Sequence, residues 1–165
     1  MIELEIRYVK PNDLAELQQL FVDTVSVICS RDYSDQQIEV WKATVNNTLR
    51  WQDRIENQFF IVAQIADLIV GFGSLENNSC IDMMYVHKDF QRQGIADRIY
   101  SELEKKAISQ NSNTLICDVS KTAKPFFEKK GFNIILQQTK ILQGVEISYY
   151  KMMKELATEY SSTNR

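Results

Sequence analysis

The residues best suited to chemistry lie in one stretch, Ile81-Asp82-Met83-Met84-Tyr85-Val86-His87-Lys88-Asp89-Phe90-Gln91-Arg92-Gln93-Gly94-Ile95-Ala96. An apolar strand-like run passes through a polar turn to Gly94 and then into a segment with helical periodicity. A helix start leaves N–H groups without intrahelical acceptors, and these, with the helix dipole, attract anions. Gly94 has no Cβ, so an anion can come close to the backbone. Gln91 and Arg92 add side-chain donors. The pattern points to a phosphate or pyrophosphate cradle; the plain alternative is that Gly94 eases a tight turn. The segment is neither a strand followed by G-x-G-x-x-G nor a G-x-x-x-x-G-K-[ST] loop. Asp82 is a carboxylate inside an apolar strand. It could face solvent or an arginine.

Other reactive types are sparse. The sequence has one histidine, His87, and three cysteines, Cys29, Cys80 and Cys117, with no C-x-x-C pair. They make no convincing metal set. Cys80 and Cys117 fall in apolar strand patterns and read as inert buried thiols. An odd cysteine count with no secretory signal fits a reducing cytoplasm. No apolar run has the length of a membrane span. Nineteen basic and twenty-two acidic residues give a net charge of −3, which argues against a general nucleic-acid binder.

The elements that must position these residues follow from periodicity. Ile2, Leu4, Ile6 and Tyr8 alternate as a half-buried strand. Asp13 and Glu16 resemble a capping box ahead of a helix with Leu14, Leu17, Phe21, Val25 and Ile28 on one face. Ser34 and Gln37 repeat that pattern before a second helix running on toward Trp51. Residues 59–86 read as three antiparallel strands, turning at Ala66-Asp67 and at Glu76 to Ser79. A helix follows Gly94, with Ile95, Ile99, Leu103 and Ala107 on one face. Thr114 to Val119 is a strand. Ala123 to Lys130 is a helix with Pro125 in its first turn, closed by Gly131. A final hairpin turns at Gln143-Gly144. Residues 1–156 read as one domain and 157–165 as a frayed polar tail.

Gln91-x-x-Gly94-x-Ala96 matches the [QR]-x-x-G-x-[GA] signature of the Gcn5-related N-acetyltransferase (GNAT) superfamily. Downstream, Ser120-x-x-Ala123-Lys124-Pro125-Phe126-Phe127-x-x-x-Gly131-Phe132 resembles that family's second motif, N-x-x-A-x-x-F-Y-x-x-x-G-F. The resemblance covers about residues 3–153. Tyr33 to Trp41 and Ala123 to Phe127 are similar to a bacterial YafP-like subgroup. The resemblance implies an α/β (mixed α+β) fold: a mostly antiparallel sheet of about seven strands, splayed between the fourth and fifth, with about four flanking helices. It also implies acetyl-CoA as acyl donor, no metal, and direct transfer in a ternary complex to a primary amine of a small molecule or protein.

Residue roles carry over on the same basis. The backbone of Met84 and Val86 would hold the pantetheine arm. N–H groups of Gln91, Arg92, Gln93, Gly94, Ile95 and Ala96 would hold the pyrophosphate, and Ser120 and Phe127 would border the cofactor. Asp82 would act as base, directly or through water, and the Met84 N–H would support the thioester oxygen. Tyr33 and Trp41 would belong to the acceptor wall. The chain departs from the family at two positions: Phe127 stands where a proton-donating tyrosine is usual, and Ser120 where asparagine is usual. The acid is then Tyr85, Tyr149, Tyr150, Ser120, water, or no dedicated group. A CoA-binding regulatory module with little catalysis, and an interaction protein in which Gly94 is only a turn, stay open as alternatives. The acceptor's identity and the choice between monomer and homodimer have no readable code.

Overall fold

The computed structural model describes residues 3–157. The predicted tail, apart from Ala157, and Ile2 of the first strand lie outside them. The elements run β1 (Leu4–Tyr8), α1 (Leu14–Val27), α2 (Asp35–Lys42), α3 (Thr48–Asn57), β2 (Phe59–Ile65), β3 (Leu68–Glu76), β4 (Cys80–Val86), α4 (Ile95–Ser109), β5 (Thr114–Val119), α5 (Lys124–Lys129), β6 (Asn133–Leu142) and β7 (Val145–Glu155).

One seven-stranded sheet has the order β1-β2-β3-β4-β5-β7-β6. Every neighbouring pair is antiparallel except β4 and β5, which are parallel and pair only at Cys80↔Ile116 and Ile81↔Cys117. Beyond Ile81 these two strands part. The sheet carries a core on each face. Ile99, Leu103, Leu115, Phe127 and Met152 fill the α4/α5 side. Leu17, Phe21, Trp51, Phe72 and Met83 fill the α1–α3 side.

Ile99 of helix α4 packs directly over Gly73 of β3, in the space that a side chain would fill. A Cβ on Gly73 would stand 2.6 Å from Ile99 Cγ2, so no larger residue fits without displacing the helix.

Two expectations are corrected. Asp13 does not cap α1 with its side chain. Its carboxylate takes Arg7 Nη1 (2.9 Å) and the Lys10 N–H (2.7 Å), and Glu16 Oε1 accepts from Ile69 N (2.9 Å). Residues before the helix took the Asp13 carboxylate, and a distant strand took that of Glu16. The expected continuous helix toward Trp51 is broken into α2, a 3-10 turn and α3, and Asn47 Oδ1 accepts from Arg50 N (3.2 Å) to start the new helix. Among the described residues five α-helices therefore flank the sheet. The Ser34–Gln37 capping box is present in both directions.

Candidate active site

A cleft of about 670 Å³ opens where β4 and β5 part and reaches to the start of α4. Asp82, Met84, Tyr85, Val86, Gln91, Arg92, Gly94, Ile95 and Ala96 line it, as do Ser120, Phe127, Tyr33 and Trp41. Of the site residues expected from sequence, Gln93 and the candidate acid Tyr150 are not among the lining residues; the Gln93 side chain is exposed.

The strand wall depends on ladder geometry. The His87 N–H bonds Val70 O at 2.8 Å. Alternation along an antiparallel ladder then makes Tyr85↔Phe72 and Met83↔Ser74 the hydrogen-bonded pairs, and turns the N–H and C=O of Met84 and Val86 away from β3. They face the open edge that β5 has left. Val86 O fits this orientation: it accepts from Thr24 Oγ1 (2.9 Å) and Gln91 Nε2 (2.8 Å). Gln91 therefore works as a brace tying the turn to the strand end.

Asp82 owes its position to a bulge. Ser74 pairs with Met83 and Leu75 with Ile81, so Asp82 is an extra residue in β4. The inside–outside phase slips there. Ile81 packs with the α4-side core, while Met83 and Tyr85 pack with the opposite one. Asp82 Oδ2 accepts from Arg54 Nε (2.8 Å) and Gln58 Nε2 (2.9 Å). Oδ1 takes no donor among the described residues. Sequence reading missed Arg54 and Gln58. The stripe Asn47, Arg50, Arg54, at helical spacing beside the apolar Trp51 and Ile55, was the available signal.

The far wall is a turn into α4. The backbone enters the left-handed region at Arg92 (φ +59°) and Gly94 (φ +79°), a reversal of the kind that gathers N–H groups into anion-binding nests. A Cβ on Gly94 would meet nothing within 4 Å. The space beside it is cleft, not protein. The turn and helix thus present a dipole, free N–H groups and room, which suits a pyrophosphate.

The aromatic residues divide by role. Phe127 is buried among Tyr100, Phe126 and Phe132 and has no proton to give. Tyr85 packs edge-on to Phe21 and tilted on Phe72. Burial raises its phenol well above the ordinary value. Tyr149 lines the cleft, whereas its neighbour Tyr150 packs with the α4-side core, as strand alternation requires. Desolvation also raises Tyr149, with the Asp118 charge adding to it. Tyr33 lines the cleft, but its hydroxyl is committed: it donates to Ser148 O (2.9 Å) and accepts from Lys121 N (3.0 Å). Trp41 meets it edge-on. Ser120 Oγ accepts from Ala123 N (3.1 Å) at the entry to α5.

Of the remaining reactive types, Cys29 and Cys117 line the cleft, whereas Cys80 and His87 do not. Burial pushes the Cys29 and Cys80 thiols up to about 11 and Cys117 well above its ordinary value, so all three are poor nucleophiles near neutrality. His87 Nδ1 accepts from Asp89 N within its own turn (3.1 Å). Among the described residues no three His, Cys, Asp or Glu side chains gather as a metal set, and no helix is long and apolar enough to cross a membrane.

A parallel strand pair that parts beside a glycine-led helix N-terminus defines an acyl-CoA-type transferase fold, and comparison with known proteins agrees. Residues 29–156 match the family model described as an acetyltransferase (GNAT) domain. The chain is 33% identical over 152 residues to the N-acetyltransferase YafP of Escherichia coli strain K12, covering 92% of this chain and 96% of that one. A crystal structure of a GCN5-related N-acetyltransferase from Rhodopseudomonas palustris superposes with a TM-score of 0.89 at 28% identity, over 94% of this chain and 98% of that one. The PaiA N-acetyltransferase of Thermoplasma acidophilum, solved in complex with coenzyme A, shares the fold with a TM-score of 0.76 at 18% identity, over 94% and 100% of the two chains. The protein belongs to the GNAT acetyltransferase family.

Proposed function

We propose that the protein transfers the acetyl group of acetyl-CoA directly to a primary amine, within a single domain of residues 1–156. The observation that carries this reading is the open β4 edge beside the α4 N-terminus, with Asp82 set by its bulge on the same cleft. Acetyl-CoA supplies the activated thioester. The N–H and C=O of Met84 and the N–H of Val86 extend the β4 edge to the pantetheine amides. The N–H groups from Gln91 to Ala96 hold the pyrophosphate, with Arg92 adding charge. The Met84 N–H supports the thioester oxygen as negative charge grows on it.

Asp82 accepts the amine proton through Oδ1, directly or through one water, while Arg54 and Gln58 hold Oδ2 and fix the carboxylate. Tyr85 and Tyr149 both line the cleft and both retain their phenolic proton at neutral pH, so either can protonate the leaving thiolate. The high pKa of the cysteine thiols supports transfer without an acetyl-cysteine intermediate. Three free thiols and the E. coli relative support a cytoplasmic setting in a bacterium. Burial of Phe127 where the family's acid is usual supports one other reading, a CoA-binding regulatory module with little catalysis.

The test is amine-dependent thiol release from acetyl-CoA. Wild-type protein turns over, and Asp82→Asn loses about 10²-fold or more in kcat while its Kd for acetyl-CoA stays within threefold. Binding of acetyl-CoA without thiol release for any amine would favour the regulatory reading. Unchanged kcat in Asp82→Asn at every pH would remove Asp82 as base.

A further inference from the structure

The end of the cleft away from Gly94 carries charges that acetyl-CoA binding leaves unused. Arg50 near the start of α3 and Lys140 on β6 both line it, with their side chains exposed at its mouth. Among the described residues, neither has a carboxylate within salt-bridge distance. The nearby ion pairs engage Lys42 with Glu39 and Arg54 with Asp82 instead. Arg50 and Lys140 come from elements far apart in sequence, so their convergence on one opening is a property of the fold.

These cations lie within each other's field. Desolvation lowers the Lys140 ammonium from its ordinary value; the Asp118 charge opposes this and the Arg50 charge adds to it. Lys140 Nζ also sits 5.2 Å from the ring centroid of Tyr149, which lines the same cleft. That contact holds the ammonium over the opening. Together with Arg54, the mouth sets three cations against two carboxylates, Asp82 and Asp118, in a chain of net charge −3. Among the described residues neither Arg50 nor Lys140 forms an ion pair, and Asp118 offsets only part of their charge, so a bound anion gains from both. The same field disfavours entry of a diamine and favours loss of the ammonium proton, which transfer requires.

We propose that the acceptor is a primary amine that also carries an anion, a carboxylate or a phosphate, held by Arg50 and Lys140 as specificity-determining residues. The inference rests on the acetyltransferase reading above. The amine end lies toward Asp82, and the anionic end lies at the mouth.

The test is thiol release with matched amines: β-alanine against β-alaninamide, phosphoethanolamine against ethanolamine, and putrescine as a dication. Wild-type protein prefers the anionic member by at least about tenfold in kcat/KM, and the preference shrinks as salt is raised. The series with the larger ratio distinguishes carboxylate from phosphate. The double variant Arg50→Ala/Lys140→Ala erases the preference, chiefly through KM for the amine, and leaves KM for acetyl-CoA unchanged. Equal or better turnover of neutral or cationic amines by wild-type protein would overturn the proposal while leaving the transferase reading intact. So would an equal loss for both members of each pair in the double variant. Absence of thiol release with every amine would overturn both.

Discussion

Replacing Gly94 separates the cradle from a simple turn. In Gly94→Ala the residue must hold φ +79°, which costs an L-residue about 1–2 kcal/mol. For a chain of this size each kcal/mol lowers the unfolding midpoint by roughly 2–4 °C. The added methyl itself meets no protein atom within 4 Å, so the fold survives. Its position in the cleft is where an anion would approach the backbone. Gly94→Glu adds a negative charge at the same point. Lost close contact plus repulsion from a phosphate, discounted for exposure, comes to on the order of 2–4 kcal/mol. That raises Kd for acetyl-CoA about 30- to 1,000-fold.

Thermal unfolding with and without acetyl-CoA reads both quantities. At about 100 times the wild-type Kd, the ligand stabilises wild-type protein by roughly 2.7 kcal/mol, a rise of about 5–10 °C. With Kd raised about 100-fold, Gly94→Glu gains only about 0.4 kcal/mol at the same concentration, roughly 1 °C. A folded Gly94→Glu protein that keeps the full ligand-induced rise would refute the cradle.

Three further outcomes follow from packing and protonation. Gly73→Val sets a Cβ 2.6 Å from Ile99 Cγ2 and destabilises by about 1–3 kcal/mol through overpacking; denaturant unfolding within 0.5 kcal/mol of wild type would contradict the close α4–β3 approach. The buried Cys29 thiol is raised to about 11 in the folded protein, above its unfolded value. Its contribution is complete below about pH 8.5 and is lost as pH climbs toward 11, about 2–3 kcal/mol in all. Urea unfolding of wild type and Cys29→Ala across that range should show the steeper decline in wild type, and parallel slopes would count against burial of the thiol. Tyr33→Phe leaves Ser148 O and the Lys121 N–H without their shared partner and costs about 1–3 kcal/mol. Its kcat should stay within threefold; a large fall in kcat at intact stability would instead make Tyr33 an acceptor-binding residue.

How far the sequence could be read depended on the range of each signal. The Ser34–Gln37 capping box, the tight turns and Pro125 in the first turn of α5 are settled within a few residues of chain, and they formed as expected. Strand β1 formed too, but Tyr8, read on its half-buried face, is exposed. The Asp13–Glu16 pattern failed because both carboxylates found partners outside the helix, Arg7 and the N–H of Ile69. The helix expected to run to Trp51 broke because Asn47 supplied a fresh cap, a choice that periodicity alone does not register.

What the sequence by itself determined was the glycine-led turn from Gln91 to Ala96 at the start of a helix, the backbone arrangement proposed above as a pyrophosphate cradle, together with the order of strands and helices around it. Only the tertiary structure decided how that turn meets its reactants. The bulge at Asp82 appears only in register with β3. Its carboxylate is fixed by Arg54, 28 residues away. The cleft exists because β4 and β5 pair at two positions and then part. Arg50 and Lys140 reach the same mouth from α3 and β6. Such features arise from contacts between segments that are independent along the chain, so no local pattern encodes them; they are fixed when both faces of the sheet are packed.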